Sequence, residues 1–314
     1  MPDTAPGAAA PFRCGYVAII GEPNVGKSTL MNRLLAQKIS IVTRKPQTTR
    51  HKILGILTTP DCQAIFLDTP GIITPKYPLH EVMMASSASA VNEADLVLFM
   101  ADASRAGRAD DSPEEAILAR IAASGKPAWL VINKVDCVGK PALLPMMAGY
   151  AERHPFLEIF PLSALTGDGV DALLARLPGA LPVHPPFYPP DVVSDQQERF
   201  FVAEIIREKI FIMCREEIPY ATTVEITAFN EREGTGKKGR KPKWFISADI
   251  YVERESQKGI VIGKKGALLR EIGEIARKDI ERFLDHGVFL ELHVRVREGW
   301  RGDRDLLERL GYRQ

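Results

Sequence analysis

Apolar and polar positions along the chain follow two different rhythms. In the first half, short runs that are apolar on both faces occur at Tyr16–Ile20, Ala64–Leu67, Leu96–Ala101 and Ala128–Ile132. They alternate with helical stretches at Ser28–Leu35, Pro78–Val91 and Pro113–Ala123. Strands buried on both faces need helices on both sides, so this half is expected to be α/β with a mostly parallel sheet. The second half reads differently. Ser194 and Gln197 form a capping-box pair that predicts a helix to about Arg215, with Phe201, Ile205, Ile206 and Ile210 at helical spacing. Strands are expected at about Thr222–Phe229 and Trp244–Glu253, joined by the Gly/Lys-rich stretch Gly234–Lys243. A short helix from Ser256, a glycine-bounded turn, a helix to about Leu284 and a strand Val288–Val296 complete an α-β-β-α-α-β order with a small final helix. That is an α+β domain.

Between the halves lies Pro178–Pro190, with six prolines in thirteen residues. Proline removes backbone donors and pushes its predecessor towards extended conformations, so a semi-rigid extended linker is expected. The division is then a tail over residues 1–12, a first domain over 13–177, a linker over 178–190 and a second domain over 191–314. The tail, rich in Ala and Pro, is expected to be disordered and has no secretory pattern.

Composition removes several classes of function. Lys plus Arg is 41 and Asp plus Glu is 40, so the chain is not basic throughout. No apolar run reaches the roughly 18 residues of a membrane span. Cys14, Cys62, Cys137 and Cys214 lie far apart, with no metal-ligand spacing. Four in a chain of this length do not build a disulfide scaffold, and a reducing cytoplasm is expected. The six histidines form no metal set either.

Three motifs carry chemistry in the first half. The segment Gly21, Glu22, Pro23, Asn24, Val25, Gly26, Lys27, Ser28 fits GxxxxGK[ST], and Thr29 continues into the helix. The glycines let backbone N–H groups turn onto phosphate oxygens, Lys27 reaches the outer phosphates, and the Ser28 hydroxyl suits magnesium. The helix N-terminus adds a favourable dipole for an anion. Asp68, Thr69, Pro70 and Gly71 follow a strand, where a carboxylate can hold magnesium and Gly71 can offer its N–H to a terminal phosphate. Alone, DTPG is an ordinary turn; beside the phosphate loop it reads as functional. Asn133, Lys134, Val135 and Asp136 follow another strand. An ionised Asp136 can accept from the ring N–H and exocyclic amine of guanine, a donor pair that adenine lacks. Ser163, Ala164 and Leu165 can add backbone contacts to the same base, although a helix entry explains them equally well.

GEPNVGKS, DTPG, NKVD and SAL occur in the order and spacing of the small GTPase domain, which this half resembles. The resemblance implies GTP/GDP and Mg2+ as ligands. It implies that Lys45–His51 is a switch segment in which Thr49, with Thr48 as second choice, closes onto magnesium beside Ser28 and Asp68. One position departs from the template. The residue after Gly71 is Ile72, where a glutamine would orient the attacking water. Some prokaryotic GTPases with an apolar residue there use K+ held by a phosphate-loop asparagine, and Asn24 matches that position.

In the second half, Gly263, Lys264, Lys265 and Gly266 form a GxxG turn between two helices, preceded by Ile260, Val261 and Ile262. The window 232–278 carries 13 basic and 6 acidic side chains, a net of +7 hidden by the neutral total. Lys237, Lys238, Arg240, Lys241 and Lys243 have no acidic neighbour between Gly234 and Lys243. Such clusters neutralise phosphates. Lys258 lies on the expected helix before the turn. Trp244 and Phe245 read as strand core, with base stacking as the alternative. The order and turn resemble a type II KH domain, in which GxxG clamps single-stranded nucleic acid. A P-loop GTPase followed by a type II KH domain, with VERESQKGIVIGKKG at Val252–Gly266, is similar to the Era family of bacterial GTPases over residues 12–312. The resemblance implies binding of small-subunit ribosomal RNA near its 3′ end during 30S subunit assembly, with peripheral contact at the inner face of the membrane. A monomer is expected. The alternative is a constitutive RNA-binding protein whose nucleotide serves only structure. A phosphate-loop kinase is a third reading, against which NKVD counts.

Overall fold

The computed structural model describes residues 11–105, 113–231 and 242–312. Two compact units are present. One comprises residues up to Lys38, Lys52–Ile72 and Ser87–Asp195; the other comprises Ile39–His51, Ile73–Ser86 and the chain from Gln196.

The first unit is built on a six-stranded sheet of order β2-β3-β1-β4-β5-β6. Its strands are β1 (Arg13–Gly21), β2 (Ile53–Thr58), β3 (Cys62–Asp68), β4 (Leu96–Asp102), β5 (Ala128–Asn133) and β6 (Glu158–Pro161). Only β2 runs antiparallel, against β3. The strands β3 and β5 are buried at every position, as expected for a sheet covered on both faces. Helices α1 (Lys27–Leu34), α3 (Glu114–Ser124), α4 (Leu143–Arg153) and α5 (Val170–Ala180) belong to this unit. The helix α2 (Pro78–Glu93) begins in the second unit and ends in the first. The hydrophobic pattern did not indicate β2, α4 or α5. Parallel register brings the C-terminal ends of β1, β3, β4 and β5 level: Ile19 lies opposite Asp68, Gly21 opposite Met100, and Asp102 opposite Asn133. Ligands bind at that edge of an open α/β sheet.

The proline-rich segment, expected to be a semi-rigid extended linker, is partly helical and partly hydrogen-bonded to neighbouring strands. Pro178 lies inside the last turn of α5. The residues beyond this helix are hydrogen-bonded to the first unit. Proline lacks a donor but keeps its carbonyl, and Pro182 O accepts from Cys14 N at 3.0 Å. Non-proline residues supply the donors: His184 N donates to Phe12 O at 3.2 Å. The fully buried Gln63 accepts from Phe187 N (2.8 Å) and Tyr188 N (3.0 Å) at Oε1. Its Nε2 donates to Tyr188 O at 2.8 Å. Ile56 N then donates to Val193 O at 2.8 Å. The capping box fails for the same reason, because the Ser194 hydroxyl donates to Leu54 O at 2.5 Å. Phe12, placed in the tail, packs on the first core.

The second unit holds a three-stranded sheet, β7 (Thr223–Asn230), β8 (Trp244–Val252) and β9 (Val288–Val296), in that order. β7 and β8 are antiparallel, with an irregularity between Ile226 and Ala228; β8 and β9 are parallel. Helices α6 (Glu198–Met213), α8 (Glu255–Ile262) and α9 (Ala267–Leu284) share the core with Ile246, Ala248, Ile250 and Val252 of β8. A single turn, α7 (Ile218–Ala221), leads into β7, and α10 (Arg304–Arg309) ends the described chain. Phe245, on the opposite face of β8, stacks on Phe289 with centroids 6.0 Å apart, and Trp244 stacks on His286 at 4.6 Å. Both tryptophan and phenylalanine are partly exposed rather than core.

The clamp on the proline-rich segment predicts a stability effect. Gln63→Leu removes the side-chain acceptor shared by the Phe187 and Tyr188 N–H groups, at about 1–3 kcal/mol. A drop of about 2–12 °C in the thermal midpoint of the first unit is expected by calorimetry. An unchanged midpoint would show that the segment is held by other contacts.

Candidate functional site

The phosphate loop connects β1 to α1. Gly26 has φ 104, and a Cβ there would lie 2.2 Å from Asn133 Nδ2, so no other residue fits. The loop is tied to the base-recognition strand at the same place, since Asn133 Nδ2 donates to Val25 O at 2.7 Å. The Lys27 ammonium donates to Gly21 O (3.1 Å) and Glu22 O (2.9 Å). Burial pulls its pKa down to about 8, opposed by the nearby Asp68 and Glu22 carboxylates. A buried cation held by carbonyl dipoles is poised for an incoming phosphate. The Arg105 guanidinium pairs with the Glu22 carboxylate.

The Ser28 hydroxyl donates to Asp68 Oδ2 at 2.7 Å, so the two expected magnesium ligands in this unit meet. Asp68 is fully buried. A hydroxyl and a carboxylate are hard oxygen donors, which suit Mg2+. Thr69 Oγ1 donates to Ile19 O at 2.8 Å and fixes the turn that carries Pro70 and Gly71. Ile72 N donates to Gly21 O at 3.3 Å, and its side chain packs on the first core.

The residues read from the sequence as contacting the base lie together. Ala164 N donates to Asn133 Oδ1 at 2.8 Å. Lys134 takes a left-handed backbone, φ 66, and its ammonium meets Asp102 Oδ2 at 2.6 Å. Val135 N donates to Leu162 O at 3.3 Å. Asp136 is exposed, and a hydrogen bond from Ser163 holds its carboxyl below the usual range, with a smaller contribution from Cys137. An ionised, solvent-facing carboxylate is what two guanine donors require.

Thr48 and Thr49 belong to the second unit with the rest of Ile39–His51. There α6 grips the segment. Arg207, 1% exposed, pairs with Glu204 at 2.5 Å and donates to Thr48 O at 2.6 Å. Arg50 donates to Thr222 O (2.8 Å), Pro219 O (2.9 Å) and Tyr220 O (3.1 Å). It lies against the Phe211 and Trp300 rings. Val42 N donates to Glu208 Oε1 at 3.1 Å, and the Lys45 ammonium meets Phe211 O and Cys214 O. His51 stacks on Tyr312 with centroids 4.3 Å apart, and burial pushes its pKa down to about 4.

In the same unit, the GKKG turn links α8 to α9. Gly263 (φ 71), Lys265 (φ 52) and Gly266 (φ 77) are all left-handed, and Lys264 and Lys265 project into solvent. Ile260 is half exposed and Ile262 partly so, while Lys258 lies 3.8 Å from Glu255. A groove of about 390 Å³ opens beside the turn, between Leu269, Arg270 and Gly273 of α9 and Phe289, Leu290 and Leu292 of β9. None of these six was indicated by the sequence, because a helix face and a strand edge carry no local signature. Lys237, Lys238 and Arg240 lie outside the described residues.

Comparison with known proteins gives the family. A family described as "50S ribosome-binding GTPase" matches residues 16–134, and the KH domain family matches residues 217–301. GTPase Era of Geobacter metallireducens is 51% identical over 302 residues, covering 96% of this chain and 98% of that protein. GTPase Era of Lacticaseibacillus paracasei is 46% identical over 298 residues, covering 95% and 96%. This chain belongs to the GTPase Era family. A crystal structure of Aquifex aeolicus Era bound to GDP and AlF4− superposes with a TM-score of 0.90 at 40% identity, over 96% of this chain and 100% of that one. An Era complex with MgGDPNP and nucleotides 1506–1542 of 16S ribosomal RNA matches equally well, with TM-score 0.90, 40% identity and coverage of 96% and 100%. The α/β P-loop domain and the KH domain expected from the motifs are both present.

The position of Asp136 predicts how base preference changes in this Era family member. Asp136→Asn exchanges an acceptor for a donor and is expected to weaken GDP binding by at least about tenfold while favouring xanthosine diphosphate. Titration with both nucleotides checks it. Unchanged preference for GDP would remove Asp136 from base recognition.

Proposed function

We propose that this chain is a magnesium-dependent GTP hydrolase and switch that binds small-subunit ribosomal RNA near its 3′ end and assists 30S subunit assembly. The single observation that supports switching is the grip of α6 on residues 39–51. Thr49 closing onto nucleotide-bound magnesium would draw on the segment whose neighbours, Thr48 and Arg50, are held by the KH unit. One loop then serves both the nucleotide and the RNA-binding unit, so nucleotide state alters RNA binding.

The Era neighbour bound to a 16S ribosomal RNA fragment supports the choice of RNA. In this chain the exposed Lys264 and Lys265 would meet the backbone, and the groove between α9 and β9 would receive the bases. Lys237, Lys238 and Arg240 would add phosphate contacts. Ser28 and Asp68 would hold Mg2+, which when bound neutralises charge on the outer phosphates. Lys27 would bind the same oxygens. Ile72 has no group to orient water, and Asn24, an exposed residue of the phosphate loop, would hold K+ beside the phosphates. The reading places the chain in the cytoplasm. Contact with the membrane's inner face would be peripheral and carried by basic side chains, since no described helix is long and apolar enough to cross a bilayer.

Three experiments test this. Changing Lys264 and Lys265 to Asp is expected to weaken binding of a 16S 3′-end RNA by on the order of 10–100-fold, with GTP affinity within about twofold of wild type. In the unchanged protein, RNA affinity should differ between a GTP analogue and GDP. Equal affinities would make it a constitutive RNA binder. Separately, GTP turnover should be faster in potassium than in sodium, and Asn24→Ala should erase the difference; equal rates in both salts would exclude a potassium site.

A further inference from the structure

The guanine loop has an anchor outside its motifs. Ser163, Ala164 and Leu165 follow β6, and two ties bind them to NKVD: Ala164 N to Asn133 Oδ1, and Ser163 to Asp136. The third comes from α1. Arg33 Nε donates to Ala164 O at 3.2 Å, and its Nη2 donates to Leu165 O. Thr166 N is already taken by Ser163 Oγ at 3.1 Å. The Leu165 side chain is 70% exposed, so it does not anchor the loop by burial. The guanidinium also lies 3.6 Å from where a Cβ on Gly167 would stand, so it spans the loop from its start to its turn.

Peptide planarity converts this grip into aim. In a trans peptide, the carbonyl and the following N–H point in opposite directions. Holding Ala164 O towards α1 therefore turns Leu165 N–H away from α1. A fork with two donors in a fixed plane sets both adjacent peptide groups at once, which a single ammonium would not.

We propose that Arg33 is a positioning residue for guanine recognition, setting the 164–165 peptide so that its N–H faces the base's O6. This rests on the reading of NKVD and SAL as the guanine site. Arg33 and Asp136 then govern different atoms of one base: Arg33 acts indirectly on O6, and Asp136 directly on N1 and the 2-amine.

The test uses the full-length protein and four diphosphates: GDP, ADP, 6-thio-GDP, altered only at position 6, and IDP, lacking only the 2-amine. Arg33→Ala is expected to weaken GDP binding about tenfold, mainly through faster release. Its preference for GDP over 6-thio-GDP should shrink towards unity, while its preference for GDP over IDP stays at the wild-type value. Arg33→Lys should recover part of the lost discrimination. A wild-type GDP to 6-thio-GDP ratio in Arg33→Ala would overturn the proposal. So would an equal fall in both ratios, which marks general loosening. If the unchanged protein fails to distinguish GDP from ADP, the guanine reading itself fails, independently of Arg33.

Discussion

Two buried guanidiniums, Arg50 and Arg207, set the organisation of the second unit. A KH core needs only one apolar stripe from its first helix, and Val202, Ile206 and Ile210 of α6 supply it. The helix nevertheless buries Glu204, Arg207, Glu208 and Lys209 as well. Charged groups stay buried only when paired and hydrogen-bonded. Here Glu204 pairs with Arg207, and Arg207 ends on a carbonyl of residues 39–51. Arg50 answers from that segment, ending on three carbonyls around α7. A second cluster adds Leu79, Val82 and Met83 of α2 to Trp300, Leu307 and Tyr312. The RNA-binding unit is therefore not a contiguous piece of chain. Its surface is completed by two segments borrowed from within the sequence of the GTPase.

The first unit relies on a different economy. Register alone brings the ends of four parallel strands to one edge, and each loop there inherits its place from its strand. Asn133 then joins the pieces. Its amide nitrogen holds the phosphate loop through Val25 O, and its oxygen holds the guanine loop through Ala164 N. The phosphate loop and the loop at Ser163–Leu165 are thus held in one frame through a single short amide side chain.

Much of this was legible from residue types because the motifs demand particular backbones. Gly26 and Gly263 occupy conformations or spaces closed to other residues, and Ser28 and Asp68 meet as oxygen donors for a cation should. The features that stayed hidden depend on distant partners. The β2 strand, ILGILT, is short and gains its meaning from antiparallel pairing with β3. Prolines masked two helices: Pro145 sits in the first turn of α4 and Pro178 in the last turn of α5. The proline-rich run looked like a spacer, yet its carbonyls and few donors are taken up by Gln63 and β1, which no local pattern announces. Ser194 had the right spacing to cap α6 but is drawn to Leu54 O instead. The grip of α6 on residues 39–51 joins positions more than 150 apart, as Arg207 and Thr48 do.

The close fit of Gly26 against Asn133 has a bearing on inhibitor design. A compound that wedges open the space between them would press on the phosphate loop and the base pocket together, because one amide nitrogen separates the two. Fragments that fill only the base pocket should gain disproportionately when linked to a phosphate mimic, since the first half already stiffens the frame that receives the second.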